Sequence, residues 1–325
     1  MKITVSIFAT CWLLVSSLLA QNPVGEVSPT SFDFGPTLVG CTSPQKRISL
    51  KNTGDVQLIM DNIAISGLIA IPVNHCANGV KPATHCDVYV TYSPDRVESN
   101  TGSLIFNDNA SNTPQVVSLT GHGATIVPTA VKMQTPSPQH IYYGQTTTFT
   151  AQVTSLGGCS IPDGELLTFR NLSGEFYCIG PVVAGLASCS AQIFGHLRAA
   201  GEKAYNLNAS YPGDEHFEPS TSPSNARLYV SKWQTTTTVA ASPNPAQVGK
   251  PVTIRATVSS PGPFVPTGVV WFLVGSQSWR VSVANATAQT TYTFPAAGNW
   301  NITAVYNGDE ANHYGNGYVT EVVNP

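Results

Sequence analysis

Charge is what this chain has least of. Lys and Arg number 15 and Asp and Glu 18 in 325 residues, so charged side chains make up 10%, where about 25% is ordinary for a soluble domain. The net charge is −3, with no block of one sign. A phosphate backbone or an anionic membrane surface needs a basic stripe, so nucleic acid and a polybasic membrane patch are excluded as partners. No stretch sustains a 3.6-residue apolar period, which excludes a helical core and leaves an all-β chain. Beyond the first twenty residues no apolar run is long enough to cross a bilayer. There is no G-x-S-x-G elbow and no His in a recognisable catalytic setting. Thr, Ser, Asn, Gly and Pro stand where charges would be. A surface hydrated by hydroxyls and amides is common in exported β-proteins.

The amino terminus accords with export. Lys2 supplies a short positive region, Ile3 to Leu19 is apolar apart from scattered Ser and Thr, and Ala20 precedes Gln21 and Asn22. Residues 1–20 read as a secretory signal peptide cut near Ala20. A membrane anchor is the competing reading, and the shortness of the run counts against it. Cys11 makes a poor lipoprotein signal because the apolar stretch continues past it. Without Cys11 six cysteines remain: Cys41, Cys76, Cys86, Cys159, Cys178 and Cys189. An even count in an oxidising compartment points to disulfides, whose connectivity spacing alone leaves open. Three fall early and three in the middle, so pairing within domains would strand one cysteine in each set.

Residues 24–124 form a first module. Ile48 and Leu50, then Val88, Val90 and Tyr92, then Leu104 and Phe106 alternate as half-buried strands do. Turn chemistry separates them at Asn52-Thr53-Gly54, Ser93-Pro94 and Asn107-Asp108-Asn109. The opening S-P-x-x-x-x-F-G, the N-T-G turn, the Cys76 and Cys86 pair, the Y-S-P and the closing L-T-G-x-G resemble the abnormal-spindle/Hydin type of Ig-like domain, labelled choice-of-anchor D in bacterial exported proteins. The resemblance implies a sandwich of seven to nine strands with no shared catalytic residue. Cys41 departs from the pattern, and its partner is open. Residues 125–138, with Pro128, Pro136 and Pro138, read as a short stiff linker, with continuity into the first strand of the next module as the alternative.

The rest of the chain repeats itself. Ala209-Ser210-Tyr211-Pro212-Gly213-Asp214-Glu215 returns as Ala304-Val305-Tyr306-Asn307-Gly308-Asp309-Glu310, each closing an alternating strand. Gly144 matches Gly249, and Phe149, Ala151 and Val153 match Ile254, Ala256 and Val258. An aromatic follows each A-x-Y-x-G-D, here Phe217 and Tyr314. Residues 128–231 and 232–325 are therefore two copies of one module, and they resemble the bacterial Ig-like repeats of long surface proteins. Tyr211 and Tyr306 share the inward parity of their strands. Each ring is expected to fill the end of a core, with its hydroxyl on a nearby loop carbonyl, a logic resembling the tyrosine corner of Ig sandwiches.

Several constellations carry two readings. His75, Cys76, His85 and Cys86 offer tetrahedral zinc or copper ligands. The competing reading is a Cys76–Cys86 disulfide with incidental histidines, which the family resemblance and export both favour. Cys178 and Cys189 flank a hairpin turn near Ala184-Gly185, where a cross-strand disulfide fits; a Cys159–Cys178 pair is the alternative. The two Gly-Asp-Glu turns could bind calcium, although Gly-Asp is also ordinary turn chemistry. Trp271, Trp279 and Trp300 could form an aromatic sugar platform. Trp300 shares core parity, and Trp279 beside Arg280 is the leading surface candidate.

The expectation is an exported, non-enzymatic tandem array of three Ig-like β-sandwiches without cofactor. It would space or present a binding surface to an extracellular protein or glycan, outside the cell or on its surface. A carbohydrate-binding or accessory module of an exported enzyme system is the second reading, and exposed aromatics would favour it.

Overall fold

The computed structural model describes residues 22–194 and 202–325, so the signal-peptide expectation lies outside the described residues. Those residues are strands and connections, with no helix among them. None of them therefore forms a helix long and apolar enough to cross a membrane. They divide into two compact units. One holds the residues up to Val127 together with Leu156–Cys159, and the other Pro128–Ser155 and Ser160–Pro325.

The first unit is a pair of four-stranded sheets. Gly25–Ser28, Lys46–Asn52, His85–Tyr92 and Ile69–Asn74 run antiparallel in one. In the other, Ser31–Leu38 lies parallel to Gln115–Ala124, followed by Ser99–Asp108 and Met60–Ile65. Alternation decides which residues meet. Ile48, Leu50, Val88 and Val90 from one sheet and Leu104, Phe106, Val117 and Leu119 from the other form a single buried core. Each large side chain so removed from water contributes about 1.5–3 kcal/mol. The Asn52-Thr53-Gly54 turn is fastened by the buried Asn52 amide. Its Oδ1 accepts from Gly54 N, and its Nδ2 donates to the Val56 and Val80 carbonyls. The buried Cys76 is bonded to Cys86.

Cys41 is bonded to Cys159, across 118 residues of sequence. Leu38 N donates to Gly157 O at 2.8 Å beside this bond, so the segment Leu156–Cys159 is built into the first unit. The two cysteines that pairing within modules would strand are therefore partners. Sequence distance hid them, since neither sits across a hairpin from the other.

The second unit carries two sets of sheets. In the earlier set Thr129–Met133, Thr146–Ser155 and Leu186–Gln192 form one layer. His140–Tyr142, Ala226–Ser231, Glu202–Tyr211 and Leu166–Asn171 form the other. Phe176–Val183 turns the corner, pairing Leu166–Asn171 over its first part and Leu186–Gln192 over its last. Gly180 sits at that corner, where a Cβ would meet the Ser188 carbonyl oxygen at 2.4 Å. Cys178 is bonded to Cys189 there. The 125–138 stretch runs on into the first strand of the next set: Thr129–Met133 pairs five residues of Thr146–Ser155, because Val131 and Met133 have a core to enter.

The later set has a three-stranded sheet of Thr236–Ser242, Pro251–Ser259 and Thr287–Thr293. Facing it is a five-stranded sheet in the order Ala246–Gln247, Gly315–Asn324, Gly298–Tyr306, Val269–Val274, Gln277–Ser282. Val252, Ile254, Phe272, Phe294, Ile302 and Tyr306 fill the space between. Gly144 and Gly249 take φ of +79° and +74°, a left-handed turn that glycine adopts without strain. The fold is an all-β tandem of Ig-like sandwiches.

Candidate functional site

The repeated turn is a closed carboxylate cap. After Tyr211, Gly213 turns the chain at φ +80°. Asp214 Oδ1 then accepts from the backbone of His216 at 2.7 Å and of Phe217 at 2.8 Å. After Tyr306, Gly308 does the same at φ +78°, and Asp309 Oδ1 accepts from Ala311 N at 2.9 Å and Asn312 N at 2.7 Å. Asp309 Oδ2 takes Thr267 N at 2.8 Å, Thr267 Oγ1 at 2.9 Å and Asn312 Nδ2 at 3.1 Å. Burial alone would raise the Asp309 carboxyl; the hydrogen bonds from Thr267 and Asn312 outweigh it and hold the group below its ordinary range. These oxygens are committed to the fold, which leaves them poorly placed for calcium.

Tyr211 and Tyr306 are both buried. The hydroxyl of Tyr211 donates to the Asp214 carboxylate at 3.2 Å rather than to a loop carbonyl. That of Tyr306 lies near Asp309 and Thr267 but closes no hydrogen bond. The residue matching Phe217 is Asn312, not Tyr314. Asp214 N donates to Phe217 O as Asp309 N does to Asn312 O. Phe217 and Asn312 are both buried, whereas Tyr314 is 59% exposed.

His75 and His85 stand on the outer face of the first unit, with Cys76 and Cys86 bonded to each other, so neither sulfur is a free thiolate ligand. Among the described residues no group of three or more His, Cys, Asp or Glu is gathered to hold a metal. His75 packs edge-on to Tyr89. The adjoining depression, of about 460 Å³, is lined by Gln57, His75, Lys81, His85 and Asp87 among others.

The tryptophans separate. Trp279 pairs Phe272 across the hairpin and is half-buried against the core, stacked on Tyr292 at 5.4 Å. The expectation that it leads the surface is therefore corrected. Trp271, paired with Arg280, is on the outward parity instead. Trp300 packs on the core beside Phe294 and donates its indole N–H to Ala296 O. What the sequence did not indicate is an aromatic junction within the second unit. Trp233 stacks on Tyr142 at 4.5 Å and donates its indole N–H to Tyr143 O at 3.0 Å. Phe264 meets Tyr143 and Phe194 edge-on at 5.3 and 6.3 Å. A Cβ on Gly144 would stand 2.4 Å from the Phe264 ring. Lys232, 7% exposed, donates through Nζ to the Asp309 carbonyl. Burial, and then the Glu310 carboxylate, push the Tyr143 hydroxyl up. The boundary between the two repeats at 231/232 is thus tied down: Ala226–Ser231 and Thr236–Ser242 are strands, and Trp233 N donates to Ala311 O.

The four most pronounced depressions hold about 310–480 Å³.

No curated protein matches the chain. Among solved structures, the Escherichia coli adhesin FdeC aligns at 14% identity over 94% of this chain and 98% of that one, with a TM-score of 0.28. A D1–D4 ectodomain fragment of ICAM-5 aligns at 13% identity over 92% and 76%, with a TM-score of 0.32. Fibronectin(III)-like modules of Clostridium thermocellum CbhA align at 18% identity over 59% and 94%, with a TM-score of 0.24. Superpositions at these scores carry no inference about role. Residues 238–323 match one family, the bacterial Ig-like domain (group 3).

Proposed function

We propose that this chain is an exported, non-enzymatic array that spaces or presents a binding surface outside the cell. In this reading a signal peptide occupies 1–20. An abnormal-spindle/Hydin-type module at 24–124 is followed by bacterial Ig-like modules at 128–231 and 232–325. Its partner is an extracellular protein or glycan. The observation that carries the reading is the junction: Tyr143 and Phe194 meet Phe264, Trp233 donates its indole N–H to the Tyr143 carbonyl, and Lys232 is bonded to the Asp309 carbonyl. A spacer needs fixed joints, and this one spends its aromatics on the joint. Three disulfides support an oxidising compartment.

The test has two arms. Protein recovered from outside the producing cell should begin at Gln21; a full-length chain retained inside overturns export. Trypsin should leave Lys232 uncut in the wild type and cut it in Phe264→Ala. Ready cleavage at Lys232 in the wild type overturns the fixed joint.

A further inference from the structure

The outer face of the five-stranded sheet is the least explained surface in the second unit. The pairing of Leu273 with Thr303 and of Thr303 with Tyr318 sets one row of side chains across three strands. The next row runs from Arg280 through Trp271 to Val305. Tyr318 is 81% exposed and Leu273 also faces solvent; Trp271 and Val305 are half-buried. Strands lie about 4.8 Å apart, so each row is about 10 Å long, the length of one or two sugar rings.

Charge on this face is of one sign. Arg280 is the only charged side chain that the outward parity of Gly315–Asn324, Gly298–Tyr306, Val269–Val274 and Gln277–Ser282 presents, for Glu321 is inward and buried. The Arg280 guanidinium is held over the Trp271 ring, 5.7 Å from its centroid, and among the described residues it has no carboxylate partner. A guanidinium stacked on an indole gains from the ring and stays weakly hydrated. Its planar fork suits a carboxylate bidentately. The surrounding aromatic and hydroxyl groups suit a ligand with an apolar ring face and a polar rim.

We propose that this face binds an acidic saccharide, with Trp271, Leu273 and Tyr318 beneath its rings, Thr303 at its hydroxyls and Arg280 against its carboxylates. A neutral glycan would leave the unpaired guanidinium unused. An acidic peptide would match Arg280 but not the row of ring-sized contacts. The inference rests on the reading of the chain as a presenter of a binding surface. The two fail separately: an exported protein that binds no acidic saccharide removes only this ligand.

The experiment is titration calorimetry of the mature chain with oligogalacturonate. Neutral galactose oligomers, dextran sulfate and polyglutamate serve as comparisons. Oligogalacturonate should bind most tightly, and binding should weaken as salt rises. Tyr318→Ala should weaken it at least tenfold with an unchanged melt, since the side chain is exposed. Arg280→Gln should weaken oligogalacturonate at least tenfold and leave the neutral oligomers where they were. No binding overturns the proposal. So does polyglutamate or dextran sulfate binding as tightly as oligogalacturonate with indifference to Tyr318→Ala, which would mark generic charge attraction.

Discussion

Three buried residues turn local chemistry into measurable stability. Glu321 is 0% exposed and neither carboxylate oxygen closes a hydrogen bond. Burial raises its pKa above the ordinary 4.5, and the nearby Ala246 amide, short of closing a hydrogen bond, offsets this only in part. A raised folded value means that the native state holds this proton more tightly than the unfolded chain does. The resulting stability is therefore complete below the ordinary carboxyl range and is lost as pH climbs through the raised value. Glu321→Gln should melt higher than the wild type at neutral pH, and the gap should close as pH falls toward 4.5; a gap of constant size across that range would refute the assignment. The two repeat tyrosines diverge in the same way. Tyr211→Phe loses a hydrogen bond to the Asp214 carboxylate and should lower stability by about 1 kcal/mol. Tyr306→Phe removes a buried hydroxyl that has no partner, so its melt should match or exceed that of the wild type. Tyr306→Ala, which leaves a cavity in the core, should cost about 3–5 kcal/mol.

At the scale of the element, the repeated turn is where sequence and structure agree most closely and also where they part. The alternation of Tyr205, Leu207, Ala209 and Tyr211 places all four in a core, because a two-residue period admits only two faces. The cap was legible as Gly-Asp turn chemistry, but its donors were not. Thr267 reaches Asp309 from 42 residues away, and no local pattern encodes that. The neighbouring charge misled at the Trp279 hairpin: its register sets Phe272 opposite Trp279, and register depends on the turn at Gly275, not on the adjacent Arg280. The junction aromatics were invisible because Trp233, Phe264 and Tyr143 meet only in the folded unit. Asp309, with five donors, should matter more than Asp214, with two backbone donors and Tyr211. Asp309→Ala should lower stability by about 3 kcal/mol or more, given about 1.5–3 kcal/mol for each hydrogen bond to a charged group, and Asp214→Ala by less. Neither calcium nor a chelator should shift the wild-type melt, since the N–H donors already occupy these carboxylates. A calcium-dependent rise in the melting temperature would reinstate the cation reading of the turns.

At the scale of the whole molecule, the covalent connection between Cys41 and Cys159 changes what chain cleavage means. The chain leaves the first compact unit at Val127 and re-enters it for Leu156–Cys159. The polypeptide and the disulfide are thus two separate covalent routes between the early and late parts of the sequence. Closing a loop of this length removes about 5 kcal/mol of unfolded-chain entropy in the chain-entropy account. Thr125 and Ile126 are exposed and lie outside any strand, so a protease recognition sequence inserted between them should be cut without disturbing either core. The cut protein should still run as one covalent species in denaturing, non-reducing gels, because Cys159 lies beyond the cut and holds Cys41. Reduction should then release an N-terminal and a C-terminal fragment. Cys41→Ser, in which Cys159 has no partner, should release them without reductant, while a Cys178→Ser/Cys189→Ser double variant should not. Fragments that separate from the oxidised wild type would show that Cys41 and Cys159 are not joined. The Leu156–Cys159 segment would then depend on hydrogen bonds such as that of Leu38 N to Gly157 O alone.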